Sequence, residues 1–173
     1  MTTQAILITD TCSAIKLLGM GARFFEPGVV PEGDLILHPR VHRETRAWTK
    51  EKKIKYKKEL ETLKTVRNTS VSLSLSREEF EKQRKIVQVT RKYYDLSVGE
   101  ADIEQLVAAI YHEHDIVTDD GHFGELAELM AVKTYDAEDI VLSALKNRSI
   151  TRKDATALKN KWTQNREKMS GKL

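Results

Sequence analysis

Apolar residues fall into two patterns along this chain: short unbroken aliphatic runs, and longer stretches in which they recur every three or four positions. The first predicts strands buried on both faces and the second amphipathic helices, because each period gathers its apolar side chains where a core can cover them. The strand candidates are Ala5-Ile6-Leu7-Ile8-Thr9, Asp34-Leu35-Ile36-Leu37, Asp115-Ile116-Val117-Thr118 and Ala131-Val132-Lys133-Thr134. Between the first two lies a helix through Ala14, Ile15, Leu17 and Leu18, ended by Gly19 and Gly21, and then a Pro- and Gly-broken loop from Phe24 to Gly33. Pro39 opens a helix that turns Val41, Thr45 and Trp48 inward. Ile103, Leu106, Val107 and Ile110 are the buried stripe of another helix, which ends near Glu113. Further helices are predicted over Phe123–Ala131, over Ala137–Lys146 behind the cap Asp136 with Ile140, Val141 and Leu145 inward, and from Arg152 to about Met169 behind Thr151 and Asp154, carrying Leu158 and Trp162. Strands alternating with helices imply an α/β fold with a mainly parallel central sheet flanked by helices.

One part departs from that alternation. Thr49–Arg67 reads as an amphipathic basic helix with Ile54, Leu60, Leu63 and Val66 as its apolar positions, and 68–76 as a hydroxyl-rich connector. Ser76 with Glu79 makes a capping box for a helix to about Tyr94. The 173 residues suit one domain, with 49–92 a basic helical excursion from the sheet and 151–173 a basic C-terminal helix.

The net charge of +3 matters less than its segregation. Arg43–Lys92 holds 16 Lys and Arg against 7 acids, Leu145–Leu173 holds 9 against 2, and Tyr93–Ala144 holds 13 acids against Lys133 alone. A carboxylate cluster flanked by basic arms suits a polyanion bound through its phosphates; solvated basic helices beside an acidic face are the plainer alternative. No run approaches the ~18–20 apolar residues of a membrane span, and Met1-Thr-Thr-Gln has no signal-peptide character, so a cytoplasmic location is expected. The single cysteine, Cys12, excludes an internal disulfide and a Cys-rich zinc site, and is expected to be a small buried hydrophobe. Gly19-Met20-Gly21 lacks the further residues of a phosphate-cradling loop.

The candidate chemistry lies in acids at strand ends and early helix turns. Asp10 follows the first strand, Asp119 and Asp120 follow the third, Asp102 lies in the first turn of its helix, and Glu44 sits one turn into the helix opened by Pro39. In open α/β sheets, ligands bind at the carboxyl ends of the strands, so these side chains can share one cleft. Taken alone, Glu44 reads as a solvated helix residue. Together the acids would repel and some would stay protonated, a conflict that a hard divalent cation removes; an all-oxygen set suits magnesium or manganese rather than zinc. His112-Glu113-His114 reads as an exposed helix end, since residues two apart on a helix do not face each other. His42 and His122 read as groups behind the acids or on the surface.

ILITDTCSAIKLL with Asp10, VHRETRAW with Glu44, LSVGEADIEQLVAA with Asp102 and DIVTDDGHFGELAELM with Asp119 and Asp120 together resemble a PIN-domain protein over nearly the whole chain apart from the basic excursion. The resemblance implies a PIN-like three-layer fold and a magnesium- or manganese-dependent endoribonuclease, whose catalytic and metal-holding acids are these five residues. Such enzymes serve as toxins of toxin–antitoxin modules or in RNA maturation and decay, so the partners implied are RNA, an antitoxin or other protein, and a second copy of the chain, with no membrane. The segment 49–91 is longer and more basic than the minimal family pattern, and Lys50, Lys52, Lys53, Lys55, Lys57 and Lys58 are its candidate nucleic-acid contacts. Of the tandem aspartates Asp120 is favoured as the ligand, the other then capping the next helix. Two other readings are a non-catalytic RNA-binding or scaffold protein on the same fold, and a small-molecule phosphohydrolase; the latter lacks the second acid of an Asp-x-Asp motif, since Thr11 and Cys12 follow Asp10.

Overall fold

The computed structural model describes residues 5–66 and 76–173; all of the predicted connector except Ser76 lies outside them. Four strands form one wholly parallel sheet: β1 (Ile6–Thr9), β2 (Asp34–Leu37), β3 (Asp115–Val117) and β4 (Thr134–Tyr135), in the order β2-β1-β3-β4. Helix α1 (Thr11–Leu17) follows β1, and α2 (Pro39–Ala47), α3 (Lys50–Lys55) and α4 (Lys57–Leu63) follow β2. Then come α5 (Arg77–Tyr93) and α6 (Glu100–His112) before β3, α7 (Gly121–Leu129) between β3 and β4, and α8 (Ala137–Lys146) and α9 (Arg152–Gln164) after β4.

The pleat divides the strand side chains between two cores. Leu7, Leu35 and Val117 face α1, α8 and α9, where Leu17, Ile140, Leu158 and Trp162 are buried. Ile8, Ile36 and Ile116 face the opposite way, onto α5, α6 and α7, where Val87, Ile103, Leu106 and Phe123 are buried. The other side of α1 packs on α2 and α4 through Ile15, Leu18, Val41, Tyr56 and Leu63. Gly33 can only be glycine here, since a Cβ would lie 2.4 Å from the Ala5 carbonyl oxygen that accepts the Asp34 N–H. Register sets Thr9 opposite Val117, so the chain leaves β1 and β3 side by side. The β1-to-β2 and β3-to-β4 connections pass over opposite faces, which makes this pair the switch point where a crevice opens.

Several expectations need correction. The single helix over 49–67 is two, broken at Tyr56, whose ring packs 5.7 Å from Trp48 and is buried against α1. Its apolar positions are not one stripe, for Ile54 is 66 % exposed while Leu63 is buried. Helices α4 and α5 nonetheless pack on the domain, burying Leu63 and Val87 in its cores. Helix α7 begins two residues early because Asp120 caps it, and β4 starts at Thr134 after a left-handed turn at Ala131. Cys12 is exposed rather than buried, because α1 turns its neighbours Thr11, Ser13, Ala14 and Ile15 inward and leaves Cys12 on the outer arc. Among the described residues, no helix is long and apolar enough to cross a membrane.

Helix α9 stops at Gln164, short of Met169, and left-handed Arg166 turns the tail back across the molecule. There the Glu138 carboxylate, only 2 % exposed, accepts the backbone N–H groups of Ser170, Gly171, Lys172 and Leu173. Burial alone would raise its pKa, but these four donors outweigh it and hold the carboxyl below its usual range. Glu138→Ala is therefore expected to free the tail, at roughly 2 kcal/mol for charge-assisted bonds. Amide exchange at 170–173 should rise to open-chain rates while β1 stays protected; persistent protection would mean the anchor lies elsewhere.

Candidate functional site

Asp10 carries the end of β1 into α1. Its Oδ1 caps the helix by accepting the Ser13 N–H at 2.7 Å, and its Oδ2 accepts the Thr118 hydroxyl from the end of β3. Thr118 in turn accepts the Asp120 N–H at 3.1 Å, so one hydroxyl joins the two strand ends. Asp102 stands in the first turn of α6, close to the Gly99 backbone that precedes the helix. Glu44 reaches the same side from α2, accepting the Thr11 hydroxyl. The Arg40 guanidinium grips both oxygens of Glu104, clamping the helix that carries Glu44 to the helix that carries Asp102.

Electrostatics tie these acids together. Asp10 is pushed up to about 6, chiefly by burial, against the lowering effect of its Thr118 and Ser13 hydrogen bonds and with a further rise from the charge of Asp119. Asp102 is pushed up to about 7, first by burial and then by the charges of Asp10 and Glu44, with a smaller push from Asp120. Among the described residues neither Asp10 nor Asp102 has a Lys or Arg ion-pair partner. No three acidic, His or Cys side chains among the described residues close into a ready-made ion cage. Each acid is turned instead to a local hydroxyl or amide donor. The donor set, two desolvated carboxylates of which Asp10 is raised further by the charge of Asp119 and Asp102 by that of Asp10, beside further carboxylates, is chemically that of a hard divalent cation.

The tandem aspartates take different partners. Asp120 is exposed and caps α7, accepting the N–H groups of His122 at 2.9 Å and Phe123 at 3.1 Å. The cap expected of Asp119 thus falls to Asp120, the residue favoured as ligand. Asp119 accepts the Ser13 hydroxyl at 2.6 Å and the Ala137 N–H at 3.4 Å, and pairs with the buried Lys16 ammonium at 3.2 Å. Lys16, Ser13, Thr11 and Thr118 were not read from the sequence as part of the site. A lysine among the apolar residues of α1, and a serine three after Asp10, were the signals that could have found two of them. Asp119 and Asp120 also border a cleft of about 460 Å³ with Glu128, Asp136, Asp139 and the tail residues Lys168 and Lys172; Asp10, Glu44 and Asp102 do not line it.

The histidines are otherwise engaged. His112 and His114 do face each other, their rings stacked 5.5 Å apart, because left-handed Glu113 ends α6 and swings His114 back; both are half-buried rather than exposed. His122 accepts the Ser97 N–H at 2.9 Å, and half-buried His42 lines a second cleft beside α2.

The six candidate lysines are all exposed, yet three hold intramolecular positions. Lys52 lies 3.8 Å over the Trp48 ring, Lys53 donates to the Arg46 carbonyl at 2.6 Å, and Lys55 donates to the Asn165 carbonyl at 2.7 Å. Lys50, Lys57 and Lys58 make no such contact among the described residues. Neither the protein-family models nor the curated proteins give a match to this chain.

Proposed function

We propose that this protein is a magnesium- or manganese-dependent endoribonuclease of the PIN-domain kind its sequence resembles. The observation that carries the reading is the pair Asp10 and Asp102, from a strand end and a helix start: burial, with the charge of Asp119, holds Asp10 at about 6, and burial, with the charges of Asp10 and Glu44, holds Asp102 at about 7, with no Lys or Arg ion-pair partner for either among the described residues. Asp10, Asp102 and Glu44, with Asp119 or Asp120, would hold the ion. Bound there, it would acidify a water and offset the charge of a phosphodiester under attack. The protein's own share is orientation and exclusion of competing contacts. The Ser13 N–H and the Thr118 hydroxyl fix the Asp10 carboxylate in one plane, Thr11 fixes Glu44, and Lys16 offsets Asp119 so that the negative charge left over concentrates at Asp10 and Asp102. Basic residues on α3 and α4 supply the long-range attraction for RNA.

The test is cleavage of an RNA panel with magnesium or manganese against chelator, using wild type and Asp10→Asn. Cleavage in chelator, or equal cleavage by the variant, rejects the reading. Binding without cleavage would favour an RNA-binding scaffold. Asp119→Asn and Asp120→Asn should then separate. Asp120 has no cationic partner to offset it among the described residues, so its loss should reduce metal-dependent activity about a hundredfold, on the order expected for one positioned charge. Its stability should change by less than ~1 kcal/mol, because Asn also caps helices. Equal activity losses in both variants would mean that each aspartate serves the ion.

A further inference from the structure

A second cleft, also about 460 Å³, lies on the other side of α2 and is lined by Arg46, Lys53, Lys57, Lys64, Leu60 and Leu63 among others. Among the described residues four cations surround it, with Glu61 the one acid in its lining. Glu61 stands four residues after Lys57 and three before Lys64, the spacings at which helical ion pairs form, yet it pairs with neither. The side chains of Arg46, Lys57 and Lys64 have no hydrogen-bond or ion-pair partner among the described residues, while Lys53 is fixed at the rim by its bond to the Arg46 backbone carbonyl. Four like charges around one concavity repel, and that repulsion is relieved only when an anion enters. The floor is different in kind: Leu60, only partly buried against the core that holds Leu63, leaves an apolar surface that a sugar or base can cover while the rim takes a phosphate. The volume is that of a nucleotide-sized ligand.

Helix α2 is the shared wall. Glu44 points from it to Thr11 at the carboxylates, and the next two residues, Thr45 and Arg46, line the basic cleft. A helix is about 10 Å across with its side chains, so a strand that crosses the acids comes within a nucleotide or two of these cations.

We propose that this cleft binds a backbone phosphate of single-stranded RNA, adjacent to the bond held at the carboxylates. The assignment of RNA as occupant rests on the nuclease reading, but the binding can be measured apart from it. A fluorescent oligouridylate is titrated in chelator across a salt series, with wild type, with the exposed-residue variant Arg46→Gln/Lys57→Gln/Lys64→Gln, and with Lys82→Gln/Lys85→Gln on α5 as a charge control. The first variant should weaken binding more than tenfold at low salt and flatten the log–log salt slope by about 2, at ~0.7 for each of three lost phosphate contacts. The control should keep the wild-type slope. No binding by wild type, an unchanged slope in the triple variant, or an equal loss in the control overturns the proposal. Displacement by inorganic phosphate as readily as by a dinucleotide overturns it in favour of a free-phosphate site, and equal displacement by polyglutamate in favour of an acidic protein partner. The two readings fail separately: loss of binding in the triple variant with no cleavage by wild type keeps the cleft and rejects the nuclease, and intact binding with cleavage does the reverse.

Discussion

Asp102→Asn should abolish metal-dependent RNA cleavage and, in the metal-free protein, raise stability above the wild type at neutral pH. In wild type the Asp102 carboxyl is pushed from 3.8 to about 7, so the folded state holds a proton that the unfolded state has released. A carboxyl with a raised folded pKa carries no penalty below its unfolded pKa; the penalty grows as pH rises and is complete above the folded value. The amide never ionises. The melting-temperature difference between variant and wild type should therefore be near zero at about pH 4 and widen through pH 7. The corresponding stability difference should level off at roughly 2 kcal/mol, less than the full shift because the group is partly solvated and its shift is shared with Asp10. His38 works in the opposite direction: burial lowers it from 6.5 to about 4, so its cost sets in as pH falls below 6.5 and is complete below about 4. That cost is common to both proteins and drops out of the difference. Activity should fall at least a hundredfold, the scale of removing one preorganised charge at a reacting phosphate. A variant less stable than wild type at pH 8 would mean that Asp102 is held by attraction, and the cation site would lose its rationale.

The strands and the acids that follow them were legible because both are local patterns. Unbroken runs at 5–9 and 115–118 need burial on two faces, and an Asp directly after each can only lie at the sheet's carboxyl edge. What joins them was not legible. That β1 pairs with β3 is a long-range fact, and the Thr118 hydroxyl that bridges to Asp10 depends on that pairing. Which tandem aspartate caps α7 is decided by the backbone angles of single residues, and composition carries no trace of them. The break at Tyr56 was missed because its ring docks against Trp48 and α1, and periodicity counts apolar residues without locating the surface that receives them. The tail was missed for another reason: Glu138 binds backbone N–H groups, which every residue but proline has, so residues 170–173 carry no signature of being held. Likewise His112 and His114 could meet only because Glu113 adopts the left-handed conformation.

Lys16→Met should be the most destabilising of these substitutions, and it also tests how the site is charged. The Lys16 side chain is 4 % exposed, pairs with Asp119, donates to the Lys168 carbonyl and lies 5.5 Å from the centre of the Trp162 ring. Methionine fills a similar space but leaves the mostly buried Asp119 carboxylate with only the Ser13 hydroxyl and the Ala137 N–H. Breaking a buried pair from one side costs on the order of 3 kcal/mol, chiefly for the charge left behind. Lys16→Met/Asp119→Asn removes that charge too, so the double variant should recover much of the loss, with a coupling of at least ~1 kcal/mol in a denaturant cycle. Manganese then distinguishes two arrangements. If Asp119 is a ligand, the ion supplies the missing positive charge, and the melting temperature of Lys16→Met should rise with manganese by more than that of wild type, as mass action on a tighter site requires. If the ion rests on Asp10, Asp102 and Asp120 alone, both proteins should rise equally, and Lys16→Met should stay below wild type by the same margin at every manganese concentration.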